Sequence, residues 1–263
     1  MTTPTTPTTP VAGRVALVCG STGGLGEATA RALAAQGARV VVTGRRRERA
    51  EEVAAGLPEA VAVGCDLLAP GAAATLVESA ERLLGPVEVL VLNGPGPAPS
   101  TAAGFTDDDV TDAVGRHLRP QRDLVARVLP GMRERGFGRV LAIASSGVDA
   151  PIPGLATSNV GRAALAGYLK TLAAEVAADG VTVNLALPGR IATDRLASLD
   201  AGRAERQGLA VDDVRAASTA AIPAGRYGRP EEFGALAAFL CSDAASYVTG
   251  TAVRCDGGLV PTL

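Results

Sequence analysis

The sequence predicts an α/β domain built on one doubly wound parallel sheet of about seven strands, with helices on both faces. Three observations carry this. Short runs rich in Val, Ile and Leu recur without polar alternation, the pattern of strands buried on both faces. Longer amphipathic segments separate them, and strand–helix repetition of this kind implies right-handed crossovers. The 263 residues, 47% of them hydrophobic, suit one large domain with a substantial core, and no boundary for a second is visible.

The elements follow in order. Met1 to Pro10 is a Thr/Pro repeat without a charged or an apolar region of the signal-peptide kind. Residues 1–12 are therefore expected to be a disordered tail, and 13–263 the domain. Strands are expected at Arg14–Cys19, Arg39–Thr43, Val61–Gly64, Val87–Leu92, Arg139–Ala144, Val181–Ala186 and Thr251–Cys255. Helices are expected at Gly24–Gln36, Gly71–Leu84, Val110–Arg135, Ser158–Ala178 and Pro230–Cys241. Ile191 to Gly228 is polar, charged and Ala-rich, with no clear strand. It follows the carboxyl end of a strand, where ligands bind in open sheets, so about 190–228 is expected to be a substrate lid.

Composition narrows the function classes. A formal net charge of -2 argues against general affinity for nucleic-acid phosphates. No apolar run approaches the length of a membrane span, and the chain is expected to be cytoplasmic. Cys19, Cys65, Cys241 and Cys255 stand singly, without a CxxC pair, as buried free thiols would in a reducing compartment. No metal is expected.

Gly20-Ser21-Thr22-Gly23-Gly24-Leu25-Gly26 lies between the first strand and the first helix. Glycines there allow a tight turn and close backbone approach to a pyrophosphate, whose charge the helix N-terminus favours. The second strand ends at Thr43-Gly44-Arg45-Arg46-Arg47. An acidic residue there would bind the adenosine ribose and reject a 2′-phosphate. None is present, and Arg45 can pair with that phosphate, so NADP(H) is favoured over NAD(H). The plainer reading makes Arg45 to Arg47 a solvated helix start.

Together these features resemble the short-chain dehydrogenase/reductase family, a Rossmann-like fold, from Gly13 to Gly258. Cys65-Asp66-Leu67 matches the family's adenine-contacting position, and Asn93-Gly94 stands where its Asn-Ala-Gly turn follows the fourth strand. Leu187-Pro188-Gly189-Arg190-Ile191-Ala192-Thr193 looks like its nicotinamide-side loop, with Thr193 at the carboxamide-binding position. Gly225 to Glu232 and Val253 to Gly258 match its C-terminal segments. The resemblance also implies a homotetramer, with Val110–Arg135 and Ser158–Ala178 pairing with their symmetry mates.

The departures cluster at the family's catalytic Asn, Ser, Tyr and Lys. Ser145 keeps the serine, thirteen residues before Ser158, with Ser146 the alternative one position on. Ser158 stands at the tyrosine position and Arg162 at the lysine position. Counting back from Leu129-Pro130-Gly131-Met132 puts His117, the only histidine, at the asparagine position. The only lysine, Lys170, follows Tyr168 by two residues, so no Tyr-x-x-x-Lys pair exists. Asn93 to Pro99 resembles a Gly/Pro-rich variant of an atypical reductase-like subgroup that includes 3-oxoacyl-carrier-protein reductase-like proteins. Serine is no acid near pH 7, and guanidinium does not relay protons. His117 is therefore the expected proton donor, against a helix-surface or interface role. Ser145 and Ser158 are expected to donate to a substrate oxygen, the alternative for Ser158 being a helix cap.

Three readings follow. The first is an NADP(H)-dependent oxidoreductase acting on a small-molecule carbonyl, imine or activated enone. The second is a cyclase, dehydratase or isomerase that reuses the pocket without redox chemistry. The third is a catalytically inactive binding protein. The retained Pro188, Gly189 and Thr193 favour the first.

Overall fold

A computed structural model describes residues 11–262. Seven strands form one sheet: β1 (Val15–Val18), β2 (Arg39–Gly44), β3 (Ala60–Gly64), β4 (Val89–Leu92), β5 (Gly138–Ile143), β6 (Val181–Pro188) and β7 (Ala252–Cys255). Their order is β3-β2-β1-β4-β5-β6-β7, and every pair is parallel. The strands alternate between two cores. Val15, Leu17 and Leu90 point to the face covered by α3 (Ala72–Leu84), α5 (Arg119–Glu134) and α6 (Ala156–Val176). Ala16, Val18 and Val89 point to the face covered by α1 (Gly24–Ala35), α2 (Arg47–Ala55) and α9 (Pro230–Leu240). Burial on both faces explains the unbroken apolar runs.

The structure departs from the expected elements in four places. The expected tail lies mostly on residues 1–10, outside the described residues, but Val11 is 1% exposed and packs in the second core. The helix expected at Val110–Arg135 is two helices, α4 (Asp107–His117) and α5. Thr106 starts α4 with a capping box, its hydroxyl accepting from Asp109 N and the Asp109 carboxylate accepting from Thr106 N. Pro120, in the first turn of α5, has no N–H to continue a ladder and suits a helix start. Helix α2 was not expected, because its apolar face is only Ala50, Val53 and Ala54. Arg47–Glu51 and Arg49–Glu52 pairs support it instead.

The lid is also helical: α7 (Asp194–Gln207) and α8 (Val211–Ala220). Thr193 caps α7, its hydroxyl accepting from Leu196 N, and Gly208 ends it at a φ of 64°. Asp200 anchors α7 to both flanks of the segment. It is 2% exposed and accepts from Arg190 Nη1 at 3.0 Å and from the Tyr227 hydroxyl at 2.8 Å.

Candidate active site

The strand order reverses between β1 and β4, and a cavity of about 1340 Å³ opens beyond their carboxyl ends. That exceeds the roughly 300–1,000 Å³ of a pocket for one drug-sized ligand, leaving room for two molecules. Its floor at the β1 end is the glycine turn, of which Gly23, Gly24 and Leu25 line the cavity. Gly20 and Gly26 shape the turn from behind. A Cβ on Gly26 would lie 2.2 Å from the Gly20 carbonyl oxygen, so only glycine lets α1 start this close to β1. The Asn93 amide donates to the same carbonyl at 3.4 Å and ties the turn to β4.

These residues fit a dinucleotide. The N-terminus of α1 faces the cavity and favours a pyrophosphate. Arg45 and Arg46 both line the opposite rim, and neither makes an ion pair among the described residues, whereas Arg47 and Arg49 do. Arg47 is thus the solvated helix start, and Arg46 is a candidate the sequence reading passed over. Pro188, Gly189 and Thr193 also line the cavity, and Thr193 lies beside the turn, its methyl 3.5 Å from a Cβ placed on Gly24. Ile191 is buried and borders a small side pocket with Leu196 and Leu199.

Several expected contacts fall elsewhere. Ser21 is fully buried, donating to Val18 O and accepting from Thr43 N, so it joins β1 to β2 and does not line the cavity. Thr22 packs against Gly44. Asp66 caps a turn through Leu68 N, and Leu67 packs toward the core; neither lines this cavity. Gly94 does line it.

At the reaction end, Ser145, Ser158 and Arg162 share the cavity wall. Ser145 follows β5 and accepts from Gly147 N at 3.0 Å. Ser158 lies in the first turn of α6 but does not cap it; Leu155 is the capping residue. Instead its hydroxyl oxygen accepts from Arg162 Nε at 3.2 Å. Arg162 Nη1 donates to the carbonyls of Ile143 and Ala144 at 3.2 and 2.8 Å. Both serine oxygens are used as acceptors, which leaves each O–H available to a ligand. Burial and the Arg195 charge lower the Arg162 pKa to about 10, so it stays cationic at neutral pH. Ser146 also lines the cavity but is buried.

His117 is placed apart from the other expected catalytic residues. It ends α4 at 4% exposure and is not on the cavity wall. Its ring packs against α6, where a Cβ on Gly161 would come within 2.7 Å of His117 Cδ2. Burial, then Arg162 and Arg116, lower its pKa to about 4. An imidazole that is neutral at pH 7 is a far weaker acid than imidazolium, and burial against α6 separates this one from the cavity. The sequence places it at a site position but cannot show that α6 closes over it.

The sequence reading also missed the roof and the far wall. Ser100 accepts from Thr157 N at 2.9 Å and docks the Gly/Pro-rich loop onto α6. Arg195, Arg203 and Arg206 of α7 and Leu259 to Pro261 near the C-terminus complete the wall. The arginine spacing of eight and three residues along one helix was the signal available for the lid.

The fold and this cleft define a Rossmann-type nucleotide-binding α/β domain. The family model described as enoyl-(acyl carrier protein) reductase matches residues 20–260. The chain belongs to the short-chain dehydrogenase/reductase family. It is 32% identical over 248 residues to the 3-oxoacyl-[acyl-carrier-protein] reductase FabG of Haemophilus influenzae, covering 94% of this chain and 98% of that protein. It is 34% identical over 254 residues to nodulation protein G of Azospirillum brasilense, covering 94% and 98%. Among solved structures it resembles YwfH, an NADPH-dependent reductase involved in bacilysin biosynthesis, with a TM-score of 0.90, 29% identity and 95% and 99% coverage. L-sorbose reductase from Gluconobacter frateurii, solved with NADPH and L-sorbose, gives a TM-score of 0.90, 30% identity and 97% and 100% coverage. These relatives include oxidoreductases. No helix among the described residues is long and apolar enough to cross a membrane.

Proposed function

We propose that the chain is an NADP(H)-dependent reductase of a carbonyl, imine or activated enone, with Ser145, Ser158 and Arg162 at the reacting oxygen or nitrogen. The observation that carries this is the cavity wall of Ser145, Ser158 and Arg162, whose serine oxygens accept from Gly147 N and Arg162 Nε and so keep their O–H groups free to donate. An NADPH-dependent relative and one solved with NADPH support the cofactor, as do Arg45 and Arg46, which make no ion pair among the described residues. When bound, NADPH would supply a hydride; Ser145 and Ser158 would donate hydrogen bonds to the substrate atom on which negative charge develops, with the Arg162 cation behind them.

The cavity wall among the described residues carries arginines and aspartates but no His, Cys, Tyr or Lys. A simple ketone yields a strongly basic alkoxide, which needs an acid as it forms. An enone yields a far less basic enolate. The site therefore favours an activated enone, with solvent as the proton source.

We infer further that the chain assembles as a homotetramer, a reading supported by exposed Val110 and Val160 on α4 and α6. The chemical reading is tested by NADPH and NADH binding and by their consumption against matched simple ketones and enones. Enone turnover about 10²-fold above ketone turnover is expected. Binding of neither cofactor would instead favour a non-redox or purely binding role.

A further inference from the structure

The cavity is charged out of proportion to the chain. Seven arginines and two aspartates line it, in a protein whose formal net charge is -2. Arg45 and Arg46 stand at the rim after β2, and Arg190 is matched by Asp200. At the substrate end that leaves Arg162, Arg195, Arg203 and Arg206 against Asp194 alone.

The last three arginines are built into one surface. Arg195, Leu199, Arg203 and Arg206 are spaced four, four and three along α7, which puts them on one helix face, and all four line the cavity. None of the three makes an ion pair among the described residues. Arg195 reaches only the Pro97 carbonyl at 3.5 Å, and Arg203 only the Gln207 side chain at 3.3 Å. Arg195 and Arg162 repel one another across the cavity, part of the reason the Arg162 pKa falls.

A second, independent feature lies on α8. Ser218 is 3% exposed, borders the same cavity, and its hydroxyl has no hydrogen-bond partner among the described residues. The hydroxyl oxygen is itself closed off from solvent, so a ligand in the cavity completes it only when the side chain turns outward, and left without a partner it is costly. Its neighbours on that wall are Ala217 and Ala221.

We propose that the substrate end of the cavity is an oxyanion site, and that the substrate carries a carboxylate or phosphate monoester held by Arg195, Arg203 and Arg206 with Ser218 as a further donor. The proposal rests on the reductase reading in taking Arg45 and Arg46 as the cofactor's own contacts. Guanidinium forks suit either group, since both accept two parallel N–H bonds. The anion also relieves the Arg162–Arg195 repulsion and anchors the remote end of the substrate, away from the serines.

The test uses the full chain saturated with NADP⁺ and titrated calorimetrically with isophthalate, phenyl phosphate and neutral isophthalamide. At least one anion should bind about tenfold or more tightly than isophthalamide, and which one does identifies the group. Arg203→Gln with Arg206→Gln should remove that preference, and the corresponding lysine pair should recover part of it. Ser218→Ala, a change confined to one hydroxyl, should weaken the anion several-fold. Equal binding of all three probes, or an anion preference that survives the glutamine pair, overturns the proposal.

A kinetic arm separates it from the reductase reading. NADPH consumption is compared for 4-(3-oxobut-1-enyl)benzoate and its methyl ester. An acid preference of about tenfold in kcat/KM, abolished in the glutamine pair, supports both readings. Anion binding without any NADPH consumption upholds the site and sinks the reductase. Consumption with equal preference for acid and ester does the reverse.

Discussion

Arg162 and Ser158 stand one turn apart on α6 and are joined, Arg162 Nε donating to Ser158 Oγ at 3.2 Å. The same guanidinium also holds the Ile143 and Ala144 carbonyls just beyond β5. One side chain thus fixes the floor of the reaction end and orients the hydroxyl above it.

Removing that side chain should therefore register in two measurements. Arg162→Met leaves two inward-facing carbonyls without their donor, a cost of about 1–3 kcal/mol in urea unfolding. It also deletes the cation behind the developing negative charge, and kcat/KM for an enone should fall about 10²-fold. Arg162→Lys should keep the charge but not the fork, giving an intermediate loss. Wild-type stability and rate in the methionine variant would remove Arg162 from the site.

His117 gives the opposite expectation. Its pKa is held near 4 in the fold, against 6.5 ordinarily, so the unfolded chain binds the extra proton between those values. Stability then rises with pH from about 4 to 6.5 and is lost as pH falls through that window, by up to roughly 3 kcal/mol from this group. His117→Leu should flatten that part of the profile relative to wild type, read from urea midpoints at pH 4.5 and 7. It should change kcat by less than about threefold. A drop near 10²-fold would restore His117 as the proton donor.

The contrast between these two residues shows what the sequence could convey. Buried strands announce themselves in Val-rich runs, and the glycine turn in the residue types its backbone requires, so the sheet and that turn were legible. The grouping of Ser145, Ser158 and Arg162 followed from the family resemblance and its serine-to-tyrosine separation, and the structure brings the three to one cavity wall. The fate of His117 was not, because it depends on how closely α4 approaches Gly161, a distance that no local pattern encodes. Helices α2 and α7 were hidden for another reason: ion pairs and caps hold their charged turns, and their apolar stripes are too thin to show periodicity. The break before α5 was visible in Pro120 but was overridden by the long amphipathic pattern around it.

The rim after β2 makes a third case. Arg45 and Arg46 line the cavity without ion pairs among the described residues. Arg45→Ala with Arg46→Ala should weaken NADPH about tenfold or more while leaving NADH nearly unchanged, since each charge-assisted bond to a phosphate contributes about 1.5–3 kcal/mol. Fluorescence titration of both cofactors measures this. Equal losses for the two would mean that the arginines hold the fold of β2 and α2 rather than a 2′-phosphate.

The lid should answer to Asp200. Its buried carboxylate receives Arg190 from one end of the lid segment and Tyr227 from the other, so both flanks of α7 are tied to one residue. Asp200→Asn keeps the shape but removes the charge and turns an amide N–H₂ toward one of two donors. The cost should be about 1–3 kcal/mol, and it should fall on the lid rather than the sheet. Hydrogen exchange should accelerate across 190–228, and substrate KM should rise while NADPH affinity changes little. Tyr227→Phe loses a single hydrogen bond and should cost only about 1 kcal/mol. If Asp200→Asn instead speeds exchange throughout β1 to β6, the carboxylate holds the whole domain together, and the lid does not move as a separate unit.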